Sequence, residues 1–403
     1  MAQTLLNIDM LTSEALMRFD NALEMGSIAD RQYEDYYAKT GAKIGDTLRV
    51  REPVRMVGKD GRALQVNTIT EKQKNITMAT QKHVAWPFNS SDMTLTLDDY
   101  SERYIQPAAA ELGSLVDLDG HALFTQVYNH VGSPGTDPAT STVYLQAKQK
   151  LNQYSVPKDS MLTALYNEQA EVSTVVGLQG LFNAQGKIAS QYEKGEMGNN
   201  TMGMSFKMTQ NIPKFTNGTG VALGTLSATA TSGTAIAVTG GTANGIIKAG
   251  MVFEVADCFA FNLVTRISTG KLQQFVVTAD VTLNGSGAGT LAVLPEIITS
   301  GNYQNMTTAG AVSGKTATVV SGSGISTAYS QNWLIAKKAI ALVSADLPTV
   351  SAPKISIKRG KNLSIRMLQT YDVQSDQEIF RMDILYGWAM MRPEWCCRIA
   401  GAA

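Results

Sequence analysis

The sequence predicts an α+β protein of two or three domains, in which an all-β module is inserted into an α/β host. Three observations carry that expectation. The chain has 403 residues, more than the roughly 250 to 300 at which a single hydrophobic core stops growing. Its apolar spacing begins helical, changes to a period of two near residue 44, and later returns to a mixed texture. Charge then almost vanishes from residues 217–328: between Lys214 and Glu254 the only charged side chain is Lys248, and 281–328 carries only Glu296 and Lys315.

The first segment, 1–43, reads as a helical arm. Ser13 is placed to cap a helix whose Leu16, Phe19 and Leu23 follow a 3.6 period, and Gly26 is placed to end it. Tyr33, Tyr36 and Tyr37 form an aromatic face on a second piece. With one apolar stripe and no core of its own, the arm must dock on the rest of the chain or on a partner. Residues 44–82 alternate around an Asp-Gly turn at 60–61, as a long hairpin does. Its flanks carry Arg49, Arg51, Glu52, Arg55, Lys59, Asp60 and Arg62, too much charge for a core hairpin, so it is expected to project and to supply contacts between subunits.

Residues 83–145 contain a long helix. Ile105, Ala108, Leu112, Leu115, Val116, Leu123 and Val127 recur at three or four, with Pro107 tolerable in the first turn and a stop near residues 132–135. Gly113 and Gly120 each cost such a helix about 1 kcal/mol relative to alanine, which points to close packing or a kink at those positions. Helix and strand signals mix over 146–216. The inserted module, 217–328, has β-branched pieces at 251–255 and 275–278 between turn residues, as a small barrel or sandwich would. The return, 329–403, suggests a short helix over 333–343, an alternating strand at Leu363, Ile365 and Met367, and a buried strand over 379–388.

Composition narrows the function. Hydrophobic residues make up 44% and charged residues 17%, below the ~25% usual in soluble domains, and such a surface suits burial against copies of itself. Lysine plus arginine and aspartate plus glutamate number 34 each, without the basic stripe of a phosphate-gripping protein. The densest basic cluster, KISIKRGK at 354–361, reads as the wet face of a strand through Lys354, Ser356 and Lys358. Cys258, Cys396 and Cys397 give no disulfide framework, in keeping with a reducing cytoplasm. Neither a secretory leader nor a run of ~20 apolar residues occurs, so no membrane association is expected.

Catalytic patterns are weak. Residues 309–316, AGAVSGKT, satisfy the relaxed phosphate-binding loop, but the β-branched, Gly-rich ATVVSGSGIS follows where a helix should start. Gly285 to Gly289 reads as a hairpin turn. His83, His121 and His130 lack metal-site spacing, the last two lying on nearly opposite sides of the long helix. No enzyme activity, metal or cofactor is expected. The alternatives are a β-rich virion adhesin or tail component, for which internal repeats are missing, and a nucleotide-binding protein using the 309–316 loop.

Several strings in order bear a resemblance: RQYED at 31–35, GAKIGDTLRVR at 41–51, TQKHV at 80–84, DDYSERYI at 98–105, VSTVVGLQG at 172–180, STGKLQQF at 268–275 and DILYGW at 383–388. Together they resemble the major capsid proteins of short-tailed double-stranded DNA bacteriophages, whose HK97-like fold carries an inserted β-barrel domain. Residues 219–243 match no part of that pattern. The resemblance implies an N-terminal arm, a projecting hairpin of E-loop type, a spine helix, and peripheral and axial α/β regions. It further implies hexamers and pentamers of an icosahedral head, a scaffolding protein, a portal at one vertex, packaged double-stranded DNA held without sequence specificity, and assembly in the host cytoplasm.

Overall fold

A computed structural model of the chain describes residues 8–33, 47–58, 61–62, 64, 66–67, 69, 71–89, 101–177, 194–195, 197–198, 200–307, 309–322, 324–348, 354–360, 363–374 and 377–401. They fall into two compact units. One is made of Met1–Arg51, Gln73–His121 and Ile340–Met391, the other of Glu52–Lys72, Ala122–Ala339 and Arg392–Ala403.

The first unit packs two helices on a sheet. Helix α1 (Ile8–Ala22) buries Ile8, Leu11, Thr12, Ala15 and Phe19, one face at spacings of three and four. Ser13 lies inside this helix, not at its cap, because the helix is already under way at Ile8; its Oγ donates to the Asp9 carbonyl at 2.8 Å. The helix also ends before Gly26. There the Asp117 carboxylate accepts the backbone N–H groups of Glu24 (2.7 Å), Met25 (3.2 Å) and Gly26 (3.1 Å). Asp117 belongs to α2 (Gln106–His121), which shares a core with α1 and with Ile365, Met367, Met382 and Ile384 of the sheet.

That sheet is organised by the long strand Gln377–Met390. It pairs antiparallel with Thr80–Asn89 on one side, and Ile340–Ser344 lies on the other, since Tyr386 pairs with both Thr80 and Ser344. Ser364–Asp372 also pairs antiparallel with it, and Lys354–Arg359 pairs in turn with Ser364–Asp372. Ser356 is buried there and donates to Asp9 Oδ1 at 2.6 Å. The wet face expected through Ser356 is therefore covered by α1.

Both helix glycines mark close approach. A Cβ on Gly113 would stand 3.0 Å from the Ala22 Cβ, and one on Gly120 would stand 2.8 Å from the Trp388 ring and 2.9 Å from the Met25 sulfur. The spine helix is shorter than its sequence suggests: a π-turn (Ser101–Ile105) leads into α2, and a 3-10 turn (Ala122–Gln126) follows. The α-helical spacing stops where Phe124 enters the core of the second unit. His130 consequently lies on a short strand, His130–Val131, and not on the helix.

The hairpin is paired only at its base, with Thr47–Arg51 antiparallel to Gln73–Thr77. Beyond the Glu52 N–H to Lys72 carbonyl bond (2.8 Å) no ladder continues among the described residues. Pro53, which has no N–H to donate, stands where the ladder stops.

In the second unit a five-stranded sheet runs in the order His130–Val131, Cys396–Ile399, Asn332–Ala336, Leu162–Tyr166, Ser205–Met208. Helix α3 (Ser141–Gln153) lays Val143, Tyr144, Ala147 and Leu151 on it, and α4 (Glu168–Gly177) follows the Leu162–Tyr166 strand. The helix expected over 333–343 is absent: Asn332–Ala336 and Ile340–Ser344 are strands with every residue buried. An unbroken apolar run of that length has no period by which to tell a helix from a strand.

A six-stranded antiparallel sheet occupies the charge-poor stretch. Its order is Ala317–Val319, Val252–Phe261, Ser268–Val277, Gly289–Ile298, Ser232–Thr239, Thr225–Leu226. The two outer strands meet, since Thr225 bridges Thr316 and the Leu226 N–H donates to the Lys315 carbonyl at 2.9 Å. The sheet thus nearly closes on itself around Phe253, Phe275, Val255, Val277 and Leu291. Chain entry and exit also meet: Lys214–Thr216 pairs antiparallel with Ala328–Ser330, Phe215 opposite Tyr329.

Two buried polar groups join this sheet to its host. Arg398, 1% exposed, donates to the carbonyls of Gly250 and Phe124, each at 2.7 Å, and to Gln331 Oε1 at 3.3 Å. Burial pulls its guanidinium down to about 9, still protonated at neutral pH. Gln274 accepts the His130 N–H at 2.7 Å and the Lys150 ammonium, and donates to the His130 carbonyl at 3.1 Å and to Glu254 at 2.8 Å.

Candidate assembly surfaces

The patterns that might have carried chemistry are built into the framework. In the 309–316 loop, Ala311 and Thr316 form bridges to Ala230 and Thr225, and strand Ala317–Val319 follows in place of a helix. A strand and not a helix follows the loop among the described residues, and Lys315 is paired with Asp257 at 2.5 Å. The 285–289 glycines form a turn in which Asn284 Oδ1 accepts the N–H groups of Ser286 and Ala288.

His121 and His130 are buried, and desolvation lowers them to about 4 and about 3 respectively, whereas His83 is exposed on its strand. All three cysteines are buried and outside any disulfide, and burial pushes the Cys258 and Cys397 thiols up to about 12. Thiols so shielded are poor nucleophiles. Among the described residues no cluster of three or more His, Cys, Asp or Glu could hold a metal ion, and no helix is long and apolar enough to cross a membrane.

Surfaces remain. Of the arm residues, Phe19 and Leu23 are buried in the core of their own unit, Leu16 packs against it half-buried, and Tyr33 packs half-buried against a smaller cluster that includes Ile76 and Leu385. Phe19 and Leu23 are thus spent inside the subunit. Tyr36 and Tyr37 lie outside the described residues. On the hairpin, Arg49, Arg51 and Arg62 are exposed and Glu52 is half-buried, while Lys59 and Asp60 lie outside the described residues.

Arg55 faces its own chain: it reaches Glu394 at 3.7 Å and stands 5.7 Å from the centre of the Tyr303 ring. Lys72 meets the same ring at 5.1 Å and pairs with Glu296 at 2.8 Å. The charged set is therefore divided between outward and inward roles. Attention to charge also missed an apolar set on the same segment, where Met56 (62%), Leu64 (91%), Val66 (82%) and Ile69 (62%) are exposed. Its signal was present in the alternation of Leu64 and Val66 within an element too charged to be core.

Among the described residues the chain offers a nearly closed six-stranded sheet within an α+β protein and exposed apolar side chains on the 52–72 segment. The family model for the P22 coat protein, gene protein 5, matches residues 1–401. The chain belongs to the P22 coat protein family.

This coat protein is accordingly a major capsid protein of a tailed double-stranded DNA phage, a subunit of the phage shell and part of the virion capsid. No curated protein matches it in sequence. Among solved structures it is similar to one from Mycobacterium phage Che8 (12% identity, 94% of this chain and 89% of that one, TM-score 0.44). The capsid of cyanophage P-SCSP1u (10%, 90% and 85%, 0.44) and that of Ralstonia phage GP4 (8%, 92% and 84%, 0.44) are similar to the same degree. The assignment rests on the family match.

Proposed function

We propose that the coat protein builds an icosahedral head as hexamers and pentamers, using an HK97-like fold in which residues 217–328 form an inserted β-barrel domain. The family match over 1–401 carries this reading. The meeting of Thr225 with Thr316 and the pairing of Phe215 with Tyr329 support a barrel that leaves and rejoins its host at one place. In this reading 44–82 acts as the overlapping hairpin, with Arg49, Arg51 and Arg62 and the apolar Leu64 and Val66 turned toward a neighbouring subunit. Many such weak contacts add up through multivalency while single errors still dissociate.

A scaffolding protein and a portal at one vertex complete the assembly in the host cytoplasm, and the packaged double-stranded DNA is enclosed without sequence-specific binding. The role is structural, not catalytic. Purified coat protein mixed with its scaffolding partner is expected to give closed shells in negative-stain images and a fast-sedimenting boundary. Monomers under all salt and crowding conditions would count against the reading.

A further inference from the structure

The second unit contains a cleft of about 490 Å³ lined by three arginines, Arg55, Arg266 and Arg392. The 55–58, 154–155 and 263–266 segments, Asn302 and the Arg392–Trp395 turn line it, and no carboxylate side chain is among the lining residues. Three positive groups sharing one cleft repel one another unless an anion offsets them.

Each guanidinium is held in place. Arg392 lies 4.2 Å from the centre of the Trp395 ring, and Arg266 donates Nη2 to the Gly301 carbonyl at 3.1 Å. Arg55 reaches the Glu394 carboxylate at 3.7 Å, well beyond the ~2.7–2.9 Å of a good charged hydrogen bond, and that single carboxylate, which also feels the charge of Arg392, lies near two of the three arginines. Arg266 also has its Nη1 shielded from solvent with no hydrogen-bond acceptor, a costly state for a charged donor. Planar guanidinium forks fit the paired oxygens of carboxylates and phosphates.

We propose that this cleft binds a small oxyanion carrying two or more negative charges, a phosphate or a polycarboxylate, between Arg266 and Arg392, with Arg55 closing on it from the 52–58 segment. The cleft has the volume of about 16 waters at ~30 Å³ each, too large for a single phosphate and suited to a diphosphate or a citrate-sized acid. Binding links the 52–58 segment to the loop of Arg266 and to the Arg392–Trp395 turn. Nothing in the assembly reading requires such a site.

The test uses the full-length unassembled subunit at low concentration, titrated calorimetrically with pyrophosphate and separately with citrate, against chloride at matched ionic strength. Saturable binding is expected, weakened at least tenfold in the Arg266→Gln/Arg392→Gln double variant and unchanged in Lys271→Gln, an exposed lysine of a different cleft. Preference for pyrophosphate identifies a phosphate source and preference for citrate a carboxylate source.

No saturable binding beyond chloride, or equal weakening by Lys271→Gln, overturns the proposal. A measurement on the unmodified sequence covers a double variant that fails to fold: pyrophosphate or citrate should slow phenylglyoxal modification of Arg266 and Arg392, read by peptide mass spectrometry, while exposed Arg49 reacts at an unchanged rate. Equal rates at all three overturn it as well.

Discussion

Asp117 illustrates how a single buried side chain fixes a junction. Its carboxylate accepts three N–H groups at the end of α1, and burial, the largest influence, still raises it to about 6. Asp117→Ala leaves those donors without their acceptor and should destabilise the fold by about 3 kcal/mol, measured by urea unfolding. The N–H groups it accepts lie 91 to 93 positions away, so this role has no local signature. Gly120 does have one, because a glycine inside an apolar helical stripe asks for a reason. Gly120→Ala must displace the Trp388 ring or Met25, and an expected cost of about 1–3 kcal/mol follows from overpacking.

Titration at these residues has a definite sign. His121 and His130 are neutral when folded, with values lowered to about 4 and about 3 from 6.5. Their stabilising contribution is therefore whole above 6.5 and is lost as the pH falls toward those folded values. Asp117 runs the other way: raised from 3.8 to about 6, its contribution is whole below 3.8 and lost as the pH rises through about 6. The two larger histidine shifts dominate on acidification. Between pH 6.5 and 5, unmodified protein should lose roughly 2 kcal/mol more than His130→Gln, and parallel losses in urea melts at the two pH values would show that His130 is not held neutral.

At the scale of elements, the hairpin offers the most direct link from surface to assembly. Leu64→Asp and Val66→Asp change exposed side chains, so subunit stability should stay within about 0.5 kcal/mol while the yield of closed shells falls. Unchanged shell yield by sedimentation would remove the apolar set from the contact. The α1 face leaves its 3.6 period in the sequence, and Leu363, Ile365 and Met367 leave an alternation, whereas the 379–388 part of Gln377–Met390 reads only as a continuous buried run. Where both faces are buried, as in Asn332–Ala336 and Ile340–Ser344, the alternation disappears and strand resembles helix. Ser356 misled for a related reason, since a polar residue on a strand face says nothing of the helix that covers it. The charged residues were legible by type more than by role: Arg49, Arg51 and Arg62 are exposed, and their contact with a neighbour is a proposal, whereas Arg55 turns to Glu394, a partner 339 positions away in the sequence.

For the whole molecule, the decisive question is how far the proposed 217–328 insertion is independent of the rest of the chain, since residues 122–339 belong to one compact unit. The β-branched pieces at 251–255 and 275–278 lie on strands of one nearly closed sheet. Closing a loop of this length adds only slowly to the entropic cost, and the Phe215–Tyr329 pairing holds its ends together. Against full independence stand Phe124 and Phe215, both outside 217–328, which share the core of the sheet, and Arg398, which reaches the Gly250 carbonyl from the host. A fragment spanning 214–330 keeps the paired strands and Phe215, so it should be soluble, β-rich and cooperative in thermal melting. A 217–328 fragment loses that pairing and should melt lower. In the full chain Arg398→Met deprives the Gly250 and Phe124 carbonyls of their donor, and the cost should be about 3 kcal/mol with the midpoint of the isolated 214–330 fragment untouched, since Arg398 is not part of it. The order of events distinguishes the arrangements: if the insertion is a module locked to its host by Arg398, the full-length variant should melt in two steps, the later one near the fragment's own midpoint. A single cooperative transition in the variant, together with an unfolded 214–330 fragment, would mean that the sheet has no stability apart from the host.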